Sequence, residues 1–327
     1  MELITVNNKN NIVTQIISEE DITISKGPFI EANTEQVTLD HLKRECIIPN
    51  YSDSESTIAH SEFIGATQEV VQENFEGHRI LDPNIRISHI IKGRVPSAIG
   101  KPVKELQQDE KTIYYQRCAF MIEVPSLKEK VNNNPLTLTI GGVRALNQEN
   151  LYSKRNLEKF KVFIGFNNLV CCNLCISTDG LKADIRVSSV AELKEKIHEL
   201  IHSFDKDRFL GNMERMSKFS LDELQFGHTI GKMKMYQHLS RTEKAGKLIL
   251  GLNDNQIGTV VKNYYEDDNF NRNQEGSINL WRMYNLFTEA NKSSYIDSNL
   301  ERNAGAFEFV SGLADSMQNQ TENWFLN

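Results

Sequence analysis

A chain of 327 residues with 37 Lys and Arg against 44 Asp and Glu carries a net charge of −7. That excludes a globally basic nucleic-acid coat and leaves local basic patches open. With 39% hydrophobic and 25% charged residues, the composition is neither that of a disordered chain nor that of a membrane-embedded one. The length fits one large domain or two modest ones, with a core that needs no disulfide or metal staples. Asparagine stands out at 32 residues, more than helix capping alone would use.

The opening Met-Glu-Leu-Ile-Thr-Val-Asn-Asn has neither the basic nor the apolar region of a secretory leader. No apolar run reaches the roughly 18 residues of a membrane span. Cys46, Cys118, Cys171, Cys172 and Cys175 are odd in number and irregular in spacing, which predicts unpaired thiols in a reducing cytoplasm.

Three segments follow from the patterning: 1–78, irregular and helical; 79–187, β-rich and antiparallel; 188–327, helical. In the first, a short helical stretch falls around Glu35–Cys46, and Ser61–Phe75 forms an amphipathic helix stopped by Gly77. The period then changes to two. Asn84–Gly93 reads as one strand, with Ile85, Ile87, His89 and Ile91 on one side and Arg86 and Lys92 on the other. Thr112–Val124 and Leu136–Ala145 follow, the latter with Gly141-Gly142 inside it as a bulge or a close backbone approach. Phe160–Phe166 and Leu169–Ser177 are joined through Asn167-Asn168, a two-residue turn signal, and Asp179-Gly180 leads into Ala183–Val187. Strands so closely spaced predict an antiparallel meander. Capping boxes at Ser189–Glu192 and Ser220–Glu223 open helices, and further helices are expected at Asn255–Tyr265, Ile278–Glu289 and Asn303–Met317. The fold class is α+β, a mainly antiparallel sheet followed by a helical C-terminal third.

Three patterns carry possible chemistry. His198-Glu199-Leu200-Ile201-His202 matches the zincin motif, in which two histidines one helical turn apart hold zinc and the glutamate activates water. Its histidines point away from the apolar face of their helix, and Asp205 and Arg208 stand where an extended motif needs Gly and His. A solvated helix face is therefore favoured, with zinc chemistry as the alternative. Cys171-Cys172-x-x-Cys175 resembles a metal site, but on a strand Cys171 and Cys175 would lie about 13 Å apart, so these read as small core residues. The third pattern is charge. Residues 85–104 hold Arg86, Lys92, Arg94, Lys101 and Lys104 with no acid, a local +5, and Arg144–Lys161 carries a local +3. Arg86, Lys92, Arg94, Tyr115, Arg117 and Arg144 on sheet strands would give cations and aromatics for phosphate contacts and base stacking, as single-stranded nucleic acid requires. Asn147, Asn150 and Lys154, on the loop after the double glycine, are expected beside the same surface.

Long stretches carry a family resemblance: LTIGGVRALNQENLYSKRNLEKFKVFIGFNNLVCCNLCISTD (Leu138–Asp179) and SINLWRMYNLFTEANKSSYID (Ser277–Asp297), with MELITVN at the start, PFIEAN (Pro28–Asn33) and EKTIYYQR (Glu110–Arg117). The whole chain resembles domain-of-unknown-function family 3871, found in Bacteroidetes genomes, often on mobile or conjugative elements. Val170-Cys-x-Asn173 and Trp281-x-x-Tyr284-Asn285-x-x-Thr288 are also similar to a broader phage and plasmid family of unknown function, number 932. Neither resemblance brings an activity or a catalytic residue. From the residues alone, Ser277 would cap a helix whose Trp281, Tyr284 and Thr288 form one buried stripe, with Asn285 and Thr288 bonding to the sheet. These patterns together predict a non-enzymatic accessory protein of mobile elements that binds single-stranded nucleic acid. The alternatives are a metal-dependent hydrolase and a protein–protein adaptor joined to another mobile-element protein.

Overall fold

The computed structural model describes residues 28–48, 57–149 and 157–327. In chain order the elements are β1 (Glu35–Val37), α1 (Leu39–Glu45), α2 (His60–Asn74), β2 (Asn84–Ile87), β3 (Ile90–Arg94), β4 (Lys111–Tyr115), β5 (Arg117–Val131), β6 (Asn134–Ala145), β7 (Glu158–Asn168), β8 (Asn173–Cys175) and β9 (Leu181–Val187). The helical part follows: α3 (Val190–Ser203), α4 (Lys206–Ser217), β10 (Ser220–Leu221), α5 (Glu223–His238), α6 (Arg241–Lys244), α7 (Asp254–Glu266), β11 (Ile278–Asn279), α8 (Leu280–Asn291) and α9 (Ile296–Asn319). The fold is α+β, as the periodicity predicts.

The long strands β5, β6 and β7 are the centre of an antiparallel sheet ordered β1-β2-β5-β6-β7, with β8 and β9 both paired to β7. The β5–β6 hairpin turns on Asn132 and Asn133, whose φ values of 46° and 67° lie in the left-handed region that asparagine tolerates. Both faces of this sheet are covered. On one, Phe63 of α2 sits edge-on to Phe120 and Phe160, at centroid distances of 5.0 and 4.8 Å. On the other, Phe29, Ile30, Ile296 and Leu300 pack over Ala119, Met121, Val143 and Phe163. Gly141 and Gly142 serve the two faces in turn. A Cβ on Gly141 would strike the Phe120 carbonyl and the Phe163 ring, and one on Gly142 the Phe63 ring. The pairing runs through them without a register shift, so close approach is their role and the expected bulge lies elsewhere, at Val124/Lys128 and Phe160/Val162.

Several sequence expectations change. Asn84–Gly93 and Thr112–Val124 are not single strands of one sheet: each breaks, at Ser88-His89 and at Gln116, and β3 and β4 form a two-stranded ribbon of their own. Asn167 and Asn168 are in-strand and buried, and the turn falls instead on Leu169–Cys172. Cys171 and Cys172 therefore sit in that turn, Cys172 with a φ of 58°, while Cys175 alone is on a core strand. Burial pushes the Cys175 thiol up to about 12 and the Cys171 thiol higher still. Ser189 caps α3 as predicted, but Asp222 and Asn279, not Ser220 and Ser277, cap α5 and α8. The β10–β11 bridge accounts for this: it pairs Ser220 with Asn279 and holds that segment extended.

Part of the asparagine excess lies inside, with seven buried among the described residues. Asn168 Nδ2 donates to Asn285 Oδ1 (2.9 Å), Asn173 Nδ2 to the Asn285 carbonyl (3.0 Å), and Asn285 Nδ2 to the Trp281 carbonyl (2.9 Å). The Trp281 indole N–H donates to Asn134 Oδ1 at 2.8 Å. Asn291 and Asn299 exchange amide-to-carbonyl bonds at 2.9 and 3.1 Å, tying α8 to α9. An amide offers a donor and an acceptor without charge, so it can satisfy buried backbone groups at low desolvation cost. The Trp281/Tyr284 stripe is thus a buried docking core. Asn285 bonds to the sheet, and Thr288 bonds back into its own helix (Tyr284 and Asn285 carbonyls, 3.3 and 3.0 Å).

Candidate nucleic-acid interface

A covered sheet cannot present the cations that the sequence places on it. Arg86 on β2 is half-buried, and its guanidinium donates to Thr34 Oγ1 (2.9 and 3.0 Å) and to the Thr34 carbonyl (3.0 Å). Arg117 at the start of β5 pairs with Asp297 of α9 at 3.2 Å and lies over the Tyr295 ring, 5.8 Å from its centroid. Asn147 donates to the same Asp297 carboxylate at 3.1 Å. Arg117 and Asn147 are therefore brought together, but by an acid that already occupies them. Asn150 and Lys154 lie outside the described residues.

Arg144 is fully buried. It pairs with Glu149 (3.0 Å) and Glu158, donates to the Ile58 carbonyl, and stacks over Phe160 at 4.8 Å. Tyr115 is buried nearby, its hydroxyl 2.6 Å from His41 Nε2 and its carbonyl 2.9 Å from His60 Nε2. Burial, reinforced by the Arg144 charge, lowers His60 to about 3, so it is neutral. This cluster is internal. The expected sheet-face site is corrected on that ground: Arg144 and Tyr115 are core, and Arg86 and Arg117 are engaged in holding the β2–β5 region to its neighbours.

The acid-free block survives in a different place. Lys92 and Arg94 stand on β3, which pairs with β4 alone. The register sets Lys92 opposite Ile113 and Arg94 opposite Lys111, so alternation puts Lys92, Arg94 and Lys111 on one ribbon face. Arg94 also donates to the Lys101 carbonyl, and Lys101 pairs with Glu110. Lys92, Arg94, Lys104 and Lys111 have no carboxylate partner among the described residues. Lys92, Lys104 and Lys111 are exposed, as are Ile99 and Val103 (41% and 70%) on the connection between the strands. The middle of β4 is fastened, since Ile47 N donates to the Ile113 carbonyl at 2.9 Å. Lys111, Ile99 and Val103 were missed in the sequence because cross-strand pairing, invisible in local spacing, is what joins them to Lys92 and Arg94.

The His198/Glu199/His202 constellation is present on α3, with the two rings stacked at 6.1 Å and 13°. Its donors do not fit a zinc ion. His198 engages Asn74 through Nδ1 and Glu73 through Nε2, each at 3.0 Å. Glu199 is bridged by Lys182 and Lys196, both at 2.7 Å, and these bonds drive its carboxyl down to about 2, too weak a base to activate water at neutral pH. Among the described residues no three His, Cys, Asp or Glu side chains gather as a metal-ligand set, and no helix is long and apolar enough to cross a membrane.

Fold and surface thus define an α+β protein in which one strand pair outside the main sheet, β3–β4, is a cationic ribbon. The family model described as "Domain of unknown function, B. Theta Gene description (DUF3871)" matches residues 7–326. The chain belongs to that family, as its long motifs predict; the weaker resemblance to family 932 gains no support from this match. No curated protein and no solved structure matches the chain.

Proposed function

We propose that this protein binds nucleic acid through the β3–β4 ribbon, as a non-enzymatic accessory protein of mobile elements in the bacterial cytoplasm. One observation carries the reading: Arg94 and Lys111 stand directly opposite each other with no acid to separate them. Like charges at opposed positions destabilise a strand pair, and a phosphate backbone supplies the anion that relieves them. A two-stranded ribbon fits a duplex groove, and exposed apolar residues such as Ile99 and Val103 suit contact with sugars and unstacked bases. The mobile-element setting rests on the family resemblance.

The test is anisotropy of labelled single- and double-stranded oligonucleotides at stepped salt. Three phosphate contacts at the ribbon contribute about −2 to −3 to the log–log salt slope. Arg94→Ala with Lys111→Ala is expected to remove about two units of that slope, while Arg86→Ala leaves it unchanged. No binding at low salt, or a ribbon variant that binds as wild type does, overturns the reading and favours the adaptor.

A further inference from the structure

A second cationic surface lies far along the chain from the ribbon. Between Leu224 and Asn253 the only acid is Glu243, against Lys232, Lys234, Arg241, Lys244 and Lys247. Lys234 is paired with Asp254 at 2.7 Å. Three of the others converge on aromatic rings instead. The Lys232 and Lys247 ammonium groups lie 4.8 and 5.6 Å from the centroid of Trp324, and Lys244 lies 5.0 Å from that of Tyr236. The rings are fixed in place, with Tyr236 and Trp324 both packed against the buried Phe325, at 5.5 and 4.9 Å.

Like the ribbon, this corner lacks the ion pairing seen at many other lysines. In an acidic chain, Lys161, Lys182, Lys194, Lys196 and Lys206 each hold a carboxylate. Lys232, Lys244 and Lys247 hold none among the described residues. Glu243 is committed elsewhere, accepting from the Ser240 amide (2.8 Å) and hydroxyl (2.6 Å) to cap α6. Lys247 Nζ donates to the Glu243 backbone carbonyl and not to its carboxylate. An aromatic face attracts an ammonium group but does not neutralise it. The Glu243 charge is felt by Lys247 without a direct ion pair, so three like charges are gathered with no carboxylate in contact among the described residues. All three lysines are half-buried along their stems, which holds the ammonium groups at the rim of the rings.

We infer that this Lys232/Lys244/Lys247–Trp324 corner binds phosphate groups, and that its occupant is the phosphodiester backbone of a nucleic acid. The choice of occupant rests on the function proposed above; the phosphate site itself does not. Trp324 reports on it directly, because Trp281 is wholly buried and Trp324 is not.

The experiment follows tryptophan emission of the full chain during titration with pyrophosphate and, separately, with an unlabelled single-stranded oligonucleotide. Wild type, Trp324→Phe, the ribbon variant Arg94→Ala/Lys111→Ala and the triple variant Lys232→Gln/Lys244→Gln/Lys247→Gln are compared, with far-ultraviolet circular dichroism confirming that each is folded. Saturable changes with both probes are expected, abolished by Trp324→Phe. The triple variant should weaken oligonucleotide binding about tenfold or more and lower its salt slope by two to three. A response retained in the ribbon variant supports the corner even if the ribbon reading fails. A response to pyrophosphate alone overturns nucleic acid as the occupant. No response to either probe, or a triple variant equal to wild type, overturns the site.

Discussion

Arg144 shows how one residue type can serve opposite ends. In the sequence it follows a double glycine in a cation-rich stretch and reads as a surface contact. In the structure it is the hub of a buried cluster, because the strand carrying it is covered on both faces. Removing one partner of a buried ion pair leaves the other desolvated and uncompensated. Arg144→Met is therefore expected to cost about 3–5 kcal/mol in urea unfolding, with part of it regained when Glu149 and Glu158 are also made Gln. A loss no larger than that of a surface arginine would refute the hub. His60 beside it gives a pH signature. Its folded pKa is depressed to about 3, below the ordinary histidine value, so its stabilising contribution is complete above pH 6.5 and is lost as pH falls from there toward 3. The stability gap between wild type and His60→Gln should narrow by about 1.4 kcal/mol per pH unit below 6.5. A gap that stays constant from pH 7 to 5 would contradict a neutral, buried imidazole.

At the scale of elements, what was legible in the sequence is what local periodicity controls. The helix at Ser61–Phe75 and the Ser189 cap are found where the spacing puts them, at α2 and α3, because apolar period and cap chemistry are encoded within a few residues. Local spacing points to Ser277 as the cap of α8 and to a turn at Asn168, whereas the structure uses Asn279 and keeps Asn168 in-strand, because both depend on distant partners, Ser220 for Asn279 and Asn285 for Asn168. The Asn168–Asn285 bond is the clearest such partner. Truncating either side strands a buried amide at a cost of about 1–3 kcal/mol. Asn168→Leu and Asn285→Leu should each fall in that range, and the double variant should cost less than their sum. Additive losses in the double-mutant cycle would show that the bond contributes nothing of its own.

For the molecule as a whole, the −7 of the chain says little until it is known which charges are already matched. Acids on α9 absorb the cations of the sheet: Asp297 takes Arg117 and Glu301 takes Lys161. Two places where several cations lie together without a carboxylate partner among the described residues are the β3–β4 ribbon and the Trp324 corner. The sequence located the first of these as an acid-free run, because its charges are contiguous. It did not locate the second, whose lysines and tryptophan are separated by some 80 to 90 positions. Net charge and local runs are sequence properties; a charge left without a partner is a property of the fold.

The split between β2/β5 and β3/β4 has one further consequence. Ile87 faces Cys118 in the sheet, Ile90 faces Tyr115 in the ribbon, and Ser88 N donates to the Arg117 carbonyl at 3.0 Å between them. The two ladders keep a single register across the bend, so the ribbon is the outer half of one long hairpin whose inner half is clamped in the core. Such a hairpin opens from its tip, where the bonds face water, and closes from its root. Backbone amides should therefore exchange with deuterium in a graded series, fast near Arg94 and Lys111, slower at Ile113 and slowest at Ile85 and Phe120. An anion seated on the cationic face would slow the outer steps and leave the inner ones untouched, which makes the ribbon a built-in gauge of its own occupancy.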